Sequence, residues 1–288
     1  MTSVSPAGDV RTAQLSDGDR VPLLRLLEDD SPATVYLRSL VHEHGVDATD
    51  ELAHGRFYGF WRDDVLRTVV FASNARNMST FGDPLGLAPL MDQILQGPVR
   101  PRLFVGPEDH APAVRRGLFR DGFRARLDRR QRYYVMAPTD RASLEEVPLR
   151  PASHDDLDTV VRAHADMIRE DLEIPTANLD LSRLRELAKR RVDEEKIWVV
   201  TEGKHLVFKT EEISRSREGV LVGGVYTHPD HRGRGLASRG MATWATRLFT
   251  QDVRLLALHV NDGNVPAYRA YERAGFRRYT SLRLILSY

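Results

Sequence analysis

The stretch "THPDHRGRGLASRG", residues 227–240, follows a Val/Leu/Gly run and precedes residues with helical apolar spacing. Pro229 stops ladder bonding at the end of a strand. Arg232, Gly233, Arg234 and Gly235 then form a tight turn, in which glycine removes side chains and permits positive φ. A helix starting near Leu236 aims several backbone N–H groups into one concavity. Its dipole adds favourable potential there, so an anion such as a pyrophosphate is the natural occupant. The pattern is neither a Walker loop, since no Gly-Lys-Ser/Thr follows, nor a Rossmann G-x-G-x-x-G. A basic surface turn could be built from the same residues, so the frame around the turn has to decide.

The chain has 288 residues, 41% hydrophobic and 29% charged, which fits an ordinary soluble globular protein of two domains. It contains no cysteine, which excludes disulfides, zinc–thiolate sites and a cysteine nucleophile. There is no apolar run of membrane-spanning length. The start, "MTSVSPAGDV", lacks a basic n-region and an apolar h-region and reads as a short frayed tail. A cytoplasmic protein is expected. With 42 basic against 41 acidic residues, the net charge of +1 argues against a general nucleic-acid binder.

The proline-punctuated segment "PTDRASLEEVPLRP", residues 138–151, reads as a linker or edge segment, giving expected domains at 1–140 and 147–288. In the second half "EVPLRPA" reads as a short strand. Ser153 and Asp156 have capping-box spacing, ahead of two helical stretches separated at Pro175. "IWVVT" and "HLVFKT" form a hairpin around Gly203, and "GVLVGGVYT" is a third strand. Helix, strand, helix and the alternating strand "SLRLILSY" follow. The order βααβββαβαβ describes an α/β domain around one mixed sheet. The first half repeats this order more faintly: a hairpin in "RFYGFWRDDVLRTVVFA", a helix in "LGLAPLMDQIL", a strand in "RLFV", a helix in "APAVRRGLF" and a strand in "RQRYYVM". Gly122-Phe123 echoes Gly275-Phe276, and the repeat reads as an internal duplication.

The spacing R-x-x-G-x-A from Arg232, then Asn264, Ala267, Tyr271 and Gly275-Phe276 resembles the GNAT N-acetyltransferase superfamily. The "VFK" and "VGGVYTHPDHRGRG" runs resemble a bacterial branch with FR47-like domains. The resemblance implies two tandem GNAT-like domains, each a mixed, mostly antiparallel sheet flanked by helices, and acetyl-CoA as cosubstrate without a metal. It implies that backbone groups of Val225, Tyr226 and Thr227 hold the pantetheine arm. Arg232, Gly233, Arg234, Gly235, Leu236, Ala237 and Ser238 would cradle the pyrophosphate, and Asn264 would bond the cofactor arm. Tyr271 would protonate the leaving thiolate, although a core tyrosine on an amphipathic helix fits the same position. For the base, the strand position that holds glutamate in some members is His259 here. Glu170, Asp171 and Glu173 fall where the family forms a substrate lip, and they could bind a cationic substrate or deprotonate it through water. His228 flanks the turn as a weaker candidate.

In the first half, aligned on Gly122-Phe123, Leu118 stands where Tyr271 would be and Ala111 where Asn264 would be. Ser79-x-x-Gly82-x-Pro84 replaces R-x-x-G-x-A, and Pro84 removes a possible N–H donor. This half is expected to be a degenerate copy that shapes a substrate cleft or an interface rather than catalysing. The reading is therefore an acetyl-CoA-dependent N-acetyltransferase acting on a primary amine of a small molecule or peptide. No nucleic-acid or membrane partner is expected, and a homodimer is left open. The rival is a non-catalytic acyl-CoA-binding regulator; a nucleic-acid or ribosome-associated role is opposed by the charge balance.

Overall fold

The computed structural model describes residues 9–47, 55–119, 124–216 and 218–287. The chain divides into two units, residues 1–131 with 281–288, and residues 132–280.

The first unit begins with β1 (Val10–Gln14), α1 (Arg20–Glu28) and α2 (Val35–His44). It continues with β2 (Gly55–Arg62), β3 (Val65–Ser73), β4 (Asn77–Gly82), α3 (Leu87–Leu95), β5 (Leu103–Pro107), α4 (Ala111–Phe119) and β6 (Ala125–Met136), of which the last five residues belong to the second unit. Strands β1 to β4 form an antiparallel meander, and β5 joins parallel to β4. Side chains alternate across a strand, and on β2 this splits the core. Phe57 and Trp61 pack with α1 and α2, whereas Tyr58 and Phe60 pack with α3 and α4. Strands β1 and β4 and helices α1 and α2 go beyond the sequence reading; β1 and β4 have too few β-branched residues to stand out alone and are held by their ladders. The anchor pair Gly122-Phe123 lies outside the described residues.

The second unit runs through β7 (Arg150–Pro151), α5 (Leu157–Leu172), α6 (Leu181–Asp193), β8 (Ile197–Glu202), β9 (His205–Arg215), β10 (Val220–Thr227), α7 (Leu236–Phe249), β11 (Leu256–Asn261), α8 (Val265–Ala274) and the start of β12 (Arg277–Ser287), which from Ser281 onward belongs to the first unit. This is the expected βααβββαβαβ order. Strands β7 to β10 pair antiparallel in sequence, and β11 pairs parallel to β10. One face packs against α5 and α6 through Val160, Val199 and Tyr226. The other packs against α7 and α8 through Val222, Trp244, Leu258 and Tyr271. The capping box forms as read: the Ser153 N–H donates to the Asp156 carboxylate at 2.8 Å, and Arg150 grips the same carboxylate at 2.7 Å.

Two expectations change. Of the two readings of segment 138–151, the linker fails and the edge segment holds: β7 is an end strand paired with β8, while Val147 and Leu149 are buried in the core of the second unit and the Val147 N–H donates to Thr243 of α7 at 3.2 Å. The chain is also not cut once. The last strand returns to the first unit, where Leu282–Leu286 of β12 pair antiparallel with Leu103–Pro107 of β5, while Tyr134 and Met136 of β6 enter the core of the second.

Candidate functional site

Strand β10 carries a bulge. Gly223 pairs with Glu211 and Tyr226 with Lys209, so three steps on β10 match two on β9. One extra residue reverses the alternation of faces. Val220 and Val222 point toward α7 and α8, but Tyr226 points toward α5 and α6, and Val225 takes over the α7/α8 side. Gly224 sits in the bulge at φ +58°, and a Cβ there would come within 2.3 Å of the Glu211 carboxylate. On its other edge β10 pairs with β11 only at Val220–Leu256 and Leu221–Ala257. Beyond Leu221 the parallel pair no longer shares a ladder, and Val225, Tyr226 and Thr227 lie on that stretch.

The glycine turn comes next. Gly233 has φ +75° and Gly235 φ +73°, and an added Cβ at either would meet nothing within 4 Å. Gly235 is the N-cap of α7, and no side chain caps it. The first helical hydrogen bond runs from the Arg239 N–H to the Gly235 carbonyl, so Leu236, Ala237 and Ser238 present N–H groups without a helical acceptor. Ser238 is buried, while Leu236 and Ala237 pack on the same core as Val225 and Tyr271. The open space, positive φ and uncapped N-terminus suit an anion. Arg234 is exposed beside it.

Arg232 is committed elsewhere. Its backbone N–H donates to the Pro229 carbonyl at 3.1 Å, its Nε to the Thr227 carbonyl at 3.0 Å, and its Nη2 to Glu170 at 3.1 Å. It therefore ties the strand end to the last turn of α5, and its backbone N–H is not open to the turn. Asn264 is also partly committed: it is the N-cap of α8, and its side-chain oxygen accepts from the Ala267 N–H at 3.3 Å, which leaves its NH₂ as donor.

Tyr271 lies on α8, buried in the core and edge-on to Phe276 at 6.1 Å. Burial raises its pKa well above 10, and the charge of Asp171 adds to this, so the side chain stays a phenol. That influence links the end of α5 to Tyr271. Glu170 and Asp171 are exposed there, and Glu173 ends the helix at φ +56°. His259 on β11 has a sealed Nδ1 without a hydrogen-bond partner, and burial pushes its pKa down to about 4. It is a neutral imidazole at pH 7 and a weaker base than a solvent-exposed histidine. His228 lies 3.7 Å from Asp230 at the edge of the turn.

Several residues here escaped the sequence reading. The Tyr226 hydroxyl donates to Asp166 at 3.3 Å, and burial followed by Asp166 raises its pKa to about 12. Beneath the bulge Lys209, Glu211, His164 and Arg191 form a polar knot. The Lys209 ammonium donates to Glu211 and, at 2.9 Å, to the Gly224 carbonyl. Glu211 is also bonded to His164 and, at 2.8 Å, to Arg191. The available signal was Lys209-x-Glu211, two opposite charges at strand spacing directly after the apolar run Leu206–Phe208.

Residues 191–276 match the model of the acetyltransferase (GNAT) family. The second unit carries a GNAT domain. Solved structures extend the likeness in fold to nearly the whole chain. A Drosophila protein superposes with a TM-score of 0.70 at 16% identity, over 96% of this chain and 98% of its own. A GCN5-related N-acetyltransferase from Sphaerobacter thermophilus gives 0.58 at 15% identity, over 96% and 94%. A tandem GNAT protein from the clavulanic acid biosynthesis pathway gives 0.54 at 12% identity, over 97% and 98%. No curated protein sequence matches the chain significantly. The two-unit α/β chain thus has the tandem GNAT fold, and the family match falls in the unit with the bulge and the glycine turn. Among the described residues no helix is long and apolar enough to cross a membrane.

Proposed function

We propose that the chain transfers an acetyl group from acetyl-CoA to a primary amine of a small molecule or peptide, and that the GNAT domain carries the reaction. One observation supports this most: the uncapped, sterically open N-terminus of α7 directly follows a strand that has left its parallel neighbour. The turn would receive the pyrophosphate, and the unpaired edge at Val225, Tyr226 and Thr227 would receive the pantetheine arm, with the Asn264 NH₂ as a further donor.

Acetyl-CoA supplies the thioester carbonyl that the amine attacks; a C–N bond forms and the C–S bond breaks. The Val225 N–H would donate to the developing oxyanion. Tyr271, kept protonated by burial, donates to the leaving sulfur. Burial makes His259 a weak base, so in this proposal it takes the amine proton only after the C–N bond has formed and the nitrogen has become acidic. Glu170 and Asp171 give the entrance an acidic lip suited to a cationic amine. The first unit binds no acetyl-CoA in this reading.

Release of free thiol from acetyl-CoA in the presence of a panel of amines tests the proposal. Amine-dependent release supports it. Tight CoA binding without release from any amine makes the chain a CoA-binding regulator instead.

A further inference from the structure

The knot under the bulge has no part in the roles assigned so far, yet it is a costly arrangement. Lys209 is fully buried and Glu211 nearly so. A buried ion pair is weak evidence for stability, since apolar residues of similar volume often serve as well. Four charged or titratable groups from β9, α5 and α6 nevertheless converge there, and the contact that leaves the knot is the one from Lys209 to the Gly224 carbonyl at 2.9 Å.

That carbonyl belongs to the same peptide unit as the Val225 N–H. The unit is planar and trans, so its C=O and N–H point in opposite directions. Glu211 lies on the α5/α6 side of the sheet, where it bonds to His164 of α5 and Arg191 of α6 and would meet a Cβ on Gly224, and Lys209 bonds to it there. Pulling the carbonyl toward Lys209 therefore turns the Val225 N–H away from the knot, to the side where Val225 packs with α7 and Tyr271. In a regular ladder the neighbouring strand fixes this rotation. In the bulge no ladder bond does, because Gly224 and Val225 have no register partner on β9.

We infer that Lys209 is a positioning residue: its ammonium holds the Gly224–Val225 peptide so that the Val225 N–H faces the reacting carbonyl. Glu211 keeps Lys209 in place, and His164 and Arg191 complete the carboxylate's hydrogen bonds. Burial lowers the pKa of Lys209, and Glu211 opposes this. Gly224 is required because any side chain would occupy the space of Glu211. The inference rests on the acetyl-transfer reading for its effect on rate, but not for its effect on the peptide.

The test compares Lys209→Met, and Lys209→Met with Glu211→Gln to avoid a stranded carboxylate, against the wild-type full chain. Acetyl-CoA affinity is expected to stay within about twofold while kcat falls about 100-fold, as for loss of one oxyanion donor. The Val225 amide resonance should move in the ¹H–¹⁵N spectrum of both variants. A purely structural role would lower Tm but leave kcat per folded molecule unchanged, and that result overturns the inference. If the wild type releases no thiol with any amine, the acetyl-transfer reading fails, yet the amide spectrum still decides: an unmoved Val225 resonance in a folded variant rejects the positioning role by itself.

Discussion

Each unit has a parallel strand pair followed by a helix, and the two junctions end differently. In the first unit β4 and β5 share only Asn77–Leu103 and Met78–Phe104, just as β10 and β11 share two pairs in the second. Both pairs thus separate early. The β3–β4 ladder, however, runs without a shift from Ala72–Met78 to Thr68–Gly82, so β4 has no bulge. Its exit is filled by His110, fully buried, whose Nε2 meets the Gly82 carbonyl at 2.9 Å and whose Nδ1 meets the Thr80 hydroxyl at 2.7 Å. A carbonyl can only accept, so Nε2 carries the proton and Nδ1 accepts from Thr80. The turn is closed as well: Pro84 lacks an N–H, Asp83 takes the Leu85 N–H at 2.9 Å, and a Cβ on Gly86 would strike Thr68 at 2.3 Å. The Asp83 carboxylate takes the Leu85 N–H and the Asp83 carbonyl takes the Gly86 N–H, so neither is open to an anion. What separates the open junction from the closed one is thus one inserted residue and one uncapped turn, not the fold.

The largest test of this contrast is Gly235→Glu, which puts bulk and negative charge into the open turn. Acetyl-CoA affinity measured by calorimetry should fall at least about 100-fold, nearly 3 kcal/mol; retained affinity would place the pyrophosphate elsewhere. Next, Tyr271→Phe should lower kcat about 100-fold with CoA affinity unchanged, and an unchanged kcat removes its acid role. Because burial keeps Tyr271 protonated, the wild-type rate should show no alkaline decline from this group below pH 10. In the first unit His110→Ala should cost about 1–3 kcal/mol by leaving buried groups unpaired, read as a lower Tm. Turnover should not change, and the stoichiometry should stay at one CoA per chain. A second bound CoA in that variant would identify His110 as a plug over a latent site.

The smallest effect is in pH. Burial lowers the His110 pKa below 6.5, against weaker opposition from the Gly82 carbonyl and nearby acids. The unfolded chain then binds the proton more readily, so the contribution is complete above about pH 6.5 and is lost as pH falls toward the folded value. Thermal melts from pH 7.5 to 5 should show a slope for the wild type that His110→Ala reduces.

The helices and strands of the second unit were legible because their apolar periods are long and their breaks carry Gly or Pro. Gly233, Gly235, Asn264 and Tyr271 stood at readable spacings on one contiguous stretch, and the structure places Tyr271 and the start of α7 on one core. The commitments of Arg232 and Asn264 were not legible, because each depends on a partner chosen by local geometry. The bulge was hidden for a different reason: it is a mismatch between two strands and exists only once they pair. Lys209, Glu211, His164 and Arg191 come from three elements and meet only in the folded unit. His110 stands one residue before α4, and its partners Thr80 and Gly82 lie about 30 residues away, so nothing local in the sequence marks it.

The return of β12 has a consequence for how the molecule is made. Leu282–Leu286 close the sheet of the first unit against β5, which is synthesised far earlier. Until that last strand emerges, β5 leaves the ribosome with an unpaired edge on the β12 side, an invitation to wrong partners. The pairing joins distant parts of the sequence, the kind of contact that forms slowly. The half with the closed junction therefore cannot complete its sheet until β12 is made, and no single cut in the chain yields two complete halves.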